Sequence, residues 1–227
     1  MRRSGIGRGL WLGELTHFWD VCEKAELSME LASPAGGKVP IYPESLLITE
    51  VGESMGLHTA VQKRYADRVF MDKLKDTMCV ANVDVTRYSA IYLTGGHGVM
   101  FDFKEPALAK LVAEFYAAGK VVSAVCHGPC GLVDVKLRDG RYLLEGKNVT
   151  GFSWREEVVA KRDQAVPYSL EDRLKERGAT YSASTMPFGA HVVEDGLLIT
   201  GQNPGSAHAV AEAVVKKLSV ASALPKS

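Results

Sequence analysis

Two apolar runs end in glycine, with a helix-like segment between them. "SAIYLTGGHG", residues 89–98, is apolar up to Leu93, and "KVVSAVCHG", residues 120–128, is apolar up to Val125 and then reaches Cys126. Between them, Pro106 to Ala118 carries proline in its first turn and Gly119 just past its end, the usual marks of a helix start and stop. A strand, a helix and a second strand in this order form a crossover, so the two strands pair in parallel and the helix covers one face. The rest of the chain repeats the alternation. "GELTHFWDVCEKA" spaces Leu15, Phe18, Trp19, Cys22 and Ala25 near the helical period, and residues 59–77 read as one amphipathic helix. "ELSMELAS" alternates Leu27, Met29 and Leu31 as a strand would. "KNVTGF" reads as another strand, followed by a helix over 153–162. "SLEDRLKERGA" is a helix with Ser169 as N-cap and Gly178 as stop. "HVVEDGLLITG" is a hairpin closed by Asp195-Gly196, and "SAHAVAEAVVKKL" is a last helix. The expected fold is α/β, a mainly parallel sheet with helices on both faces. With 227 residues and no repeat or linker, the expectation is a single domain over 1–227.

Charge narrows the partners. Lys plus Arg and Asp plus Glu both number 27, so the formal net charge is zero, and nothing favours nucleic acid or an anionic membrane surface. No apolar run reaches the roughly 20 residues of a membrane span. The four cysteines, Cys22, Cys79, Cys126 and Cys130, form no CxxC pair, and the six histidines show no ligand spacing, so no metal site is expected. "MRRSGIGRGLWLG" lacks a signal-peptide pattern, so free thiols in the cytoplasm are expected.

In open α/β sheets ligands sit beyond the carboxyl ends of the strands, where both glycine-ended runs deliver their polar residues. The turn at Cys126 has the pattern of a nucleophile elbow. Ala124 and Gly128 flank the cysteine at two residues on either side, as a crowded strand-to-helix apex requires. The amides of a following helix would lower the thiol pKa, and His127 would lower it further if the strained turn lets the adjacent side chains converge. From these residues alone, a buried structural cysteine fits as well. The glycines of "YLTGGHG" fit an oxyanion hole or a plain tight turn, and His97 fits the lining of the cleft. Cys130 reads as a small core residue. Glu14 begins a mostly apolar helix beside Leu12, Leu15 and Phe18; it is either a buried acid with a raised pKa or a first-turn charge favoured by the helix dipole. Glu156 and Glu157 read as a solvated first-turn pair.

Taken in order, "YLTGGHGVMFDF", "AVCHGPCGLVDV", "LEGKNVTGF", "LEDRLKERGA" and "LITGQNPGSA" resemble the DJ-1/PfpI superfamily, and within it the heat-shock-protein-thirty-one-like, glyoxalase III branch. The resemblance runs from Gly9 to about Leu218. It implies a flavodoxin-like three-layer αβα sandwich, commonly a homodimer, without cofactor. It implies Cys126 as nucleophile, His127 as triad partner, and Glu157 as third member with Glu156 as fallback. Glu14 would be the buried acid beside the thiol, and the amides near Gly95 and Gly96 would hold an oxyanion. The implied activity is conversion of methylglyoxal-like 2-oxoaldehydes to 2-hydroxy acids without glutathione, with a stress-chaperone role beside it. A cysteine peptidase or amidase and a redox-sensing holdase are the alternatives. The sequence departs from the family pattern in three places. The usual first strand is missing before Leu10, Cys130 replaces a small residue, and Phe18 stands where proline is frequent.

Overall fold

The computed structural model describes residues 9–46 and 59–223. The chain opens with helix α1 (Leu12–Lys24) and a short strand β1 (Ala32–Ser33), then α2 (Ala60–Ala66), α3 (Arg68–Asp72) and β2 (Met78–Cys79). It continues with β3 (Ala90–Leu93), α4 (Val99–Asp102), α5 (Pro106–Ala117), β4 (Val121–Val125) and β5 (Asn148–Val149). Helices α6 (Trp154–Val159) and α7 (Leu170–Glu176) follow, then β6 (Thr180–Tyr181), the hairpin β7 (Val192–Asp195) and β8 (Leu198–Gly201), and the closing helix α8 (Ala207–Ala223).

The central sheet has the order β3-β4-β8-β7. The first three strands run parallel, and β7 folds back antiparallel on β8 through the Asp195-Gly196 turn. Strand β4 is buried along its whole length, so both of its faces must be covered. Val121 joins Phe18, Cys22, Ile199, Val210 and Val214 under α1 and α8. Val122 and Ala124 join Leu108, Leu111, Val112 and Phe115 under α5. This is the expected three-layer sandwich. Each buried valine or leucine contributes about 1.5–3 kcal/mol of transfer free energy, so the strand is fixed from both sides. No helix among the described residues is long and apolar enough to cross a membrane.

Three local expectations change. Residues 59–77 form two helices, because Asp67 is extended (φ −76, ψ 103) and its side chain accepts from the amides of Val69 and Phe70. The "ELSMELAS" strand pairs only at Ala32–Ser33, against the two residues of β2. The elbow continues as a 3₁₀ turn, Gly128–Leu132, rather than an α-helix. Any strand preceding Leu10 would fall on residues 1–8, outside the described residues. Among the described residues, β1 and β2 pair only with each other and β3 lies at the edge of the central sheet.

Candidate active site

Cys126 leaves the end of β4 with φ 58, a left-handed conformation that costs a non-glycine residue roughly 1–2 kcal/mol. Its neighbours hold it there. Its amide donates to the carbonyl of Gly201, and its carbonyl accepts from the amide of Phe152, at 2.9 and 2.8 Å. Gly128 makes the turn possible, since a Cβ at that position would lie 2.3 Å from the Leu93 carbonyl oxygen. The kink swings the adjacent side chains together, and Cys126 Sγ lies 3.2 Å from His127 Nδ1.

His127 Nε2 donates to Glu157 Oε1 at 2.6 Å. Of the two adjacent glutamates, only Glu157 reaches the imidazole, and neither is solvated. Glu156 is fully buried and structural: it caps α6 with Ser153 and accepts from the Phe188 amide and from Asn203 Nδ2. Glu157 also accepts from His97 Nε2 at 3.0 Å, through Oε2. Burial pushes the Glu157 carboxyl up, but the hydrogen bonds from His127 and then His97 outweigh it and hold the group at about 2. Burial lowers the His127 pKa, against the pull of Glu157. The base is therefore neutral, with its Nδ1 lone pair toward the sulfur.

Glu14 enters from the first turn of α1 and is completely buried. Its Oε2 accepts from the Gly95 amide at 2.5 Å, while Oε1 has no conventional partner. Burial raises the carboxyl to about 8, moderated by the Cys126 thiol and the Gly95 amide. A Cβ on Gly95 would sit 2.8 Å from Glu14 Oε2, so the glycine is required for this approach. The Gly95 amide, expected to face an oxyanion, is thus engaged by Glu14. The amides of Gly96 and His127 point at the sulfur instead.

The thiol differs most from expectation. Cys126 is buried, only 3% exposed, where an accessible thiol at the sheet edge was expected. Its pKa rises well above the usual thiol value, first through burial and then through Glu14, against the pull of the Gly96 and His127 amides. Glu14 and Cys126 form an interacting acidic pair, and with both groups raised each keeps its own proton at neutral pH. Cys130 is buried, with its thiol directed at the Val99 carbonyl. Two contacts have no signal in the sequence. Phe152 packs against the His127 ring with centroids 4.5 Å apart, and Tyr92 donates to the Glu14 backbone carbonyl at 3.2 Å. The ligating atoms of His97, His127 and Glu157 lie within 4.8 Å of one another, but hydrogen bonds already engage the facing ring nitrogens.

A flavodoxin-like sandwich with a cysteine elbow, an adjacent histidine and a buried acid over the sulfur defines a class of cysteine-centred α/β proteins. The DJ-1/PfpI family description matches residues 7–217, and the chain belongs to that family. It is 40% identical over 137 residues to the glutathione-independent glyoxalase HSP31 of Saccharomyces cerevisiae, an alignment covering 57% of each chain. The Rapid Encystment Protein 24 kDa of Francisella tularensis superposes with a TM-score of 0.85 at 34% identity, over 95% of both chains. Glyoxalase III of Candida albicans superposes with a TM-score of 0.80 at 28% identity, over 92% of this chain and 87% of that one.

Proposed function

We propose that this protein is a glutathione-independent glyoxalase acting on methylglyoxal-like 2-oxoaldehydes. One observation carries the reading: a buried carboxyl, raised to about 8, is set against the thiol of a cysteine elbow. The names of the relatives in Saccharomyces and Candida support it.

The reaction runs from the ionised form of Glu14, a minor fraction at neutral pH. As sulfur adds to the aldehyde carbon, Glu14 takes the thiol proton and passes it to the carbonyl oxygen, giving a hemithioacetal and leaving Glu14 again a carboxylate. Glu14 then removes the C1 proton. The electron pair of that C–H bond moves into an enediolate, the C1 hydroxyl proton passes to the C2 oxygen, and the abstracted proton returns at C2. C1 is now a thioester and C2 a carbinol, so one carbon is oxidised and its neighbour reduced with no external carrier. Water, deprotonated by His127 under the hold of Glu157, attacks the thioester. The thiolate departs and regains a proton, and the 2-hydroxy acid leaves; for methylglyoxal it is lactate. A base poised between two adjacent carbons suits this transfer. A peptidase or amidase would use the same Cys126, His127 and Glu157, but acyl transfer gives Glu14 no task.

Methylglyoxal consumption without glutathione is the test. Wild type should turn over, while Cys126→Ala and Glu14→Gln should each lose at least ~10³-fold in kcat with the fold retained. A Glu14→Gln variant of near wild-type rate sinks the mechanism. The same reading takes residues 1–227 as one domain, working as a cytoplasmic homodimer. Four unpaired thiols support a reducing compartment, and the family resemblance supports the dimer.

A further inference from the structure

The imidazole that faces the sulfur belongs to a longer row of rings. Phe188 stands 6.2 Å from Phe152 between centroids, Phe152 4.5 Å from His127, and His127 4.3 Å from His97. Tyr42 and Trp11 continue the row at 6.0 and 5.8 Å. The proposed reaction gives a chemical task to one of these rings, His127. Exposure rises steeply toward one end: His127 is 1%, Phe152 5% and Phe188 47% exposed. Phe188 is the one exposed ring of the row. Phe152 packs in one apolar cluster with Val125 and Cys126, so it joins the surface ring to the elbow.

The Phe188 ring is held in place by its backbone. Its φ is 61, a left-handed conformation that is costly for a bulky residue and persists only where the surroundings fix it. Its amide donates to Glu156 Oε1 at 2.8 Å, and the same oxygen accepts from Asn203 Nδ2. Arg155 Nη1 adds a second tie between α6 and this loop, to the Thr185 carbonyl at 3.0 Å. The loop thus keeps Phe188 half out of water, together with Met186 at 69% exposure. Large apolar side chains held in water at the approach to a reacting group mark where the apolar part of a ligand is covered. From this arrangement we propose that the site prefers 2-oxoaldehydes carrying an aryl group over methylglyoxal. The aryl ring lies along Phe152 and Phe188, and the two carbonyl carbons face Cys126 and Glu14.

Aromatic rings pair best offset or edge to face, with centroids roughly 4.5–7 Å apart. Phe152 and Phe188 keep to that geometry, tilted by 53°. An aryl substituent extends the row on the same terms and takes the exposed face of Phe188 out of water. A methyl group offers one carbon where a phenyl ring offers six. The polar groups nearby suit a neutral substituent, because the Glu156 oxygens are already taken by Ser153, Phe188 and Asn203. The contact lies away from the carbons that react, so it strengthens binding in ground state and transition state alike, and its effect falls on KM.

This substrate preference rests on the glyoxalase reading and sharpens it. Initial rates with phenylglyoxal and methylglyoxal, without glutathione, are compared for wild type, Phe188→Ala and Phe188→Tyr. Cys126→Ala supplies the blank for adducts that phenylglyoxal forms with arginine. The intrinsic reactivities of the two aldehydes cancel when the ratio of their kcat/KM values is compared between variants. Phe188→Ala should lower the phenylglyoxal-to-methylglyoxal ratio about 10-fold, chiefly through KM for phenylglyoxal. Phe188→Tyr keeps a ring at this position and should stay within about twofold of the wild-type ratio. Both variants retain the backbone bond to Glu156, so the loop keeps its anchor. A ratio unchanged in Phe188→Ala overturns the proposal. Calorimetric titration then separates it from the glyoxalase reading. Mandelate, the 2-hydroxy acid that phenylglyoxal would give, should bind wild type about 10-fold more tightly than lactate, and Phe188→Ala should lose that advantage. If wild type consumes neither aldehyde the glyoxalase reading falls, and equal affinities for mandelate and lactate overturn the aryl preference on their own.

Discussion

At Glu14 the fold and the chemistry pull in opposite directions. An unfolded glutamate ionises near 4.5, whereas this one ionises near 8. A raised acid pKa means that folding is favoured while the group is protonated. The stability is full below 4.5 and is lost as pH rises through 8. At pH 7 the loss is on the order of 3 kcal/mol. Glu14→Gln should therefore raise Tm at pH 7 and flatten its decline between pH 5 and 8, as calorimetry across that range would show. An unchanged slope would mean that the carboxyl reaches water. The sequence showed this residue in part, since its apolar neighbours marked it as a candidate buried acid. Cys126 and His127 were legible from the spacing of small residues around them. The direction of the thiol pKa was not: a pattern of letters reveals the helix-end amides but not the depth of burial that outweighs them. The His97–Glu157 contact joins residues 60 apart, and no local pattern encodes it.

The crossover and the hairpin were legible because glycines and a well-placed proline punctuate them, and those residues act through backbone geometry. The break at Asp67 was not, because a polar residue on the outer face of an amphipathic pattern leaves the apolar period intact. Asp67 ends α2 and caps α3 at once. Asp67→Ala should cost about 1 kcal/mol and lower Tm accordingly, with the active-site hydrogen bonds unmoved. Gly128→Ala should be far worse. Its Cβ would strike the Leu93 carbonyl oxygen at 2.3 Å, backbone against backbone, with no side chain to yield. That variant should lose more than ~3 kcal/mol in urea melts, or fail to accumulate as folded protein.

Across the whole molecule, the site gathers from distant stretches of chain: α1, the ends of β3 and β4, and α6. The sandwich architecture followed from the order of elements, since parallel strands need helices to cover them. Burial sorts the four cysteines: Cys22, Cys126 and Cys130 are buried, and Cys79 is half-buried. Ellman's reagent should titrate one thiol quickly in the native protein, and all four after denaturation. Fast reaction of Cys126 would show that the sulfur is open at rest.

The two neighbouring glutamates of α6 divide their work. Glu156 is tied to the exposed loop at Phe188, whose φ of 61 stores strain, and Glu157 is tied to both imidazoles. The surface loop at Phe188 and the imidazole that faces the sulfur are thus fastened to neighbouring residues of one short helix, a single peptide unit apart.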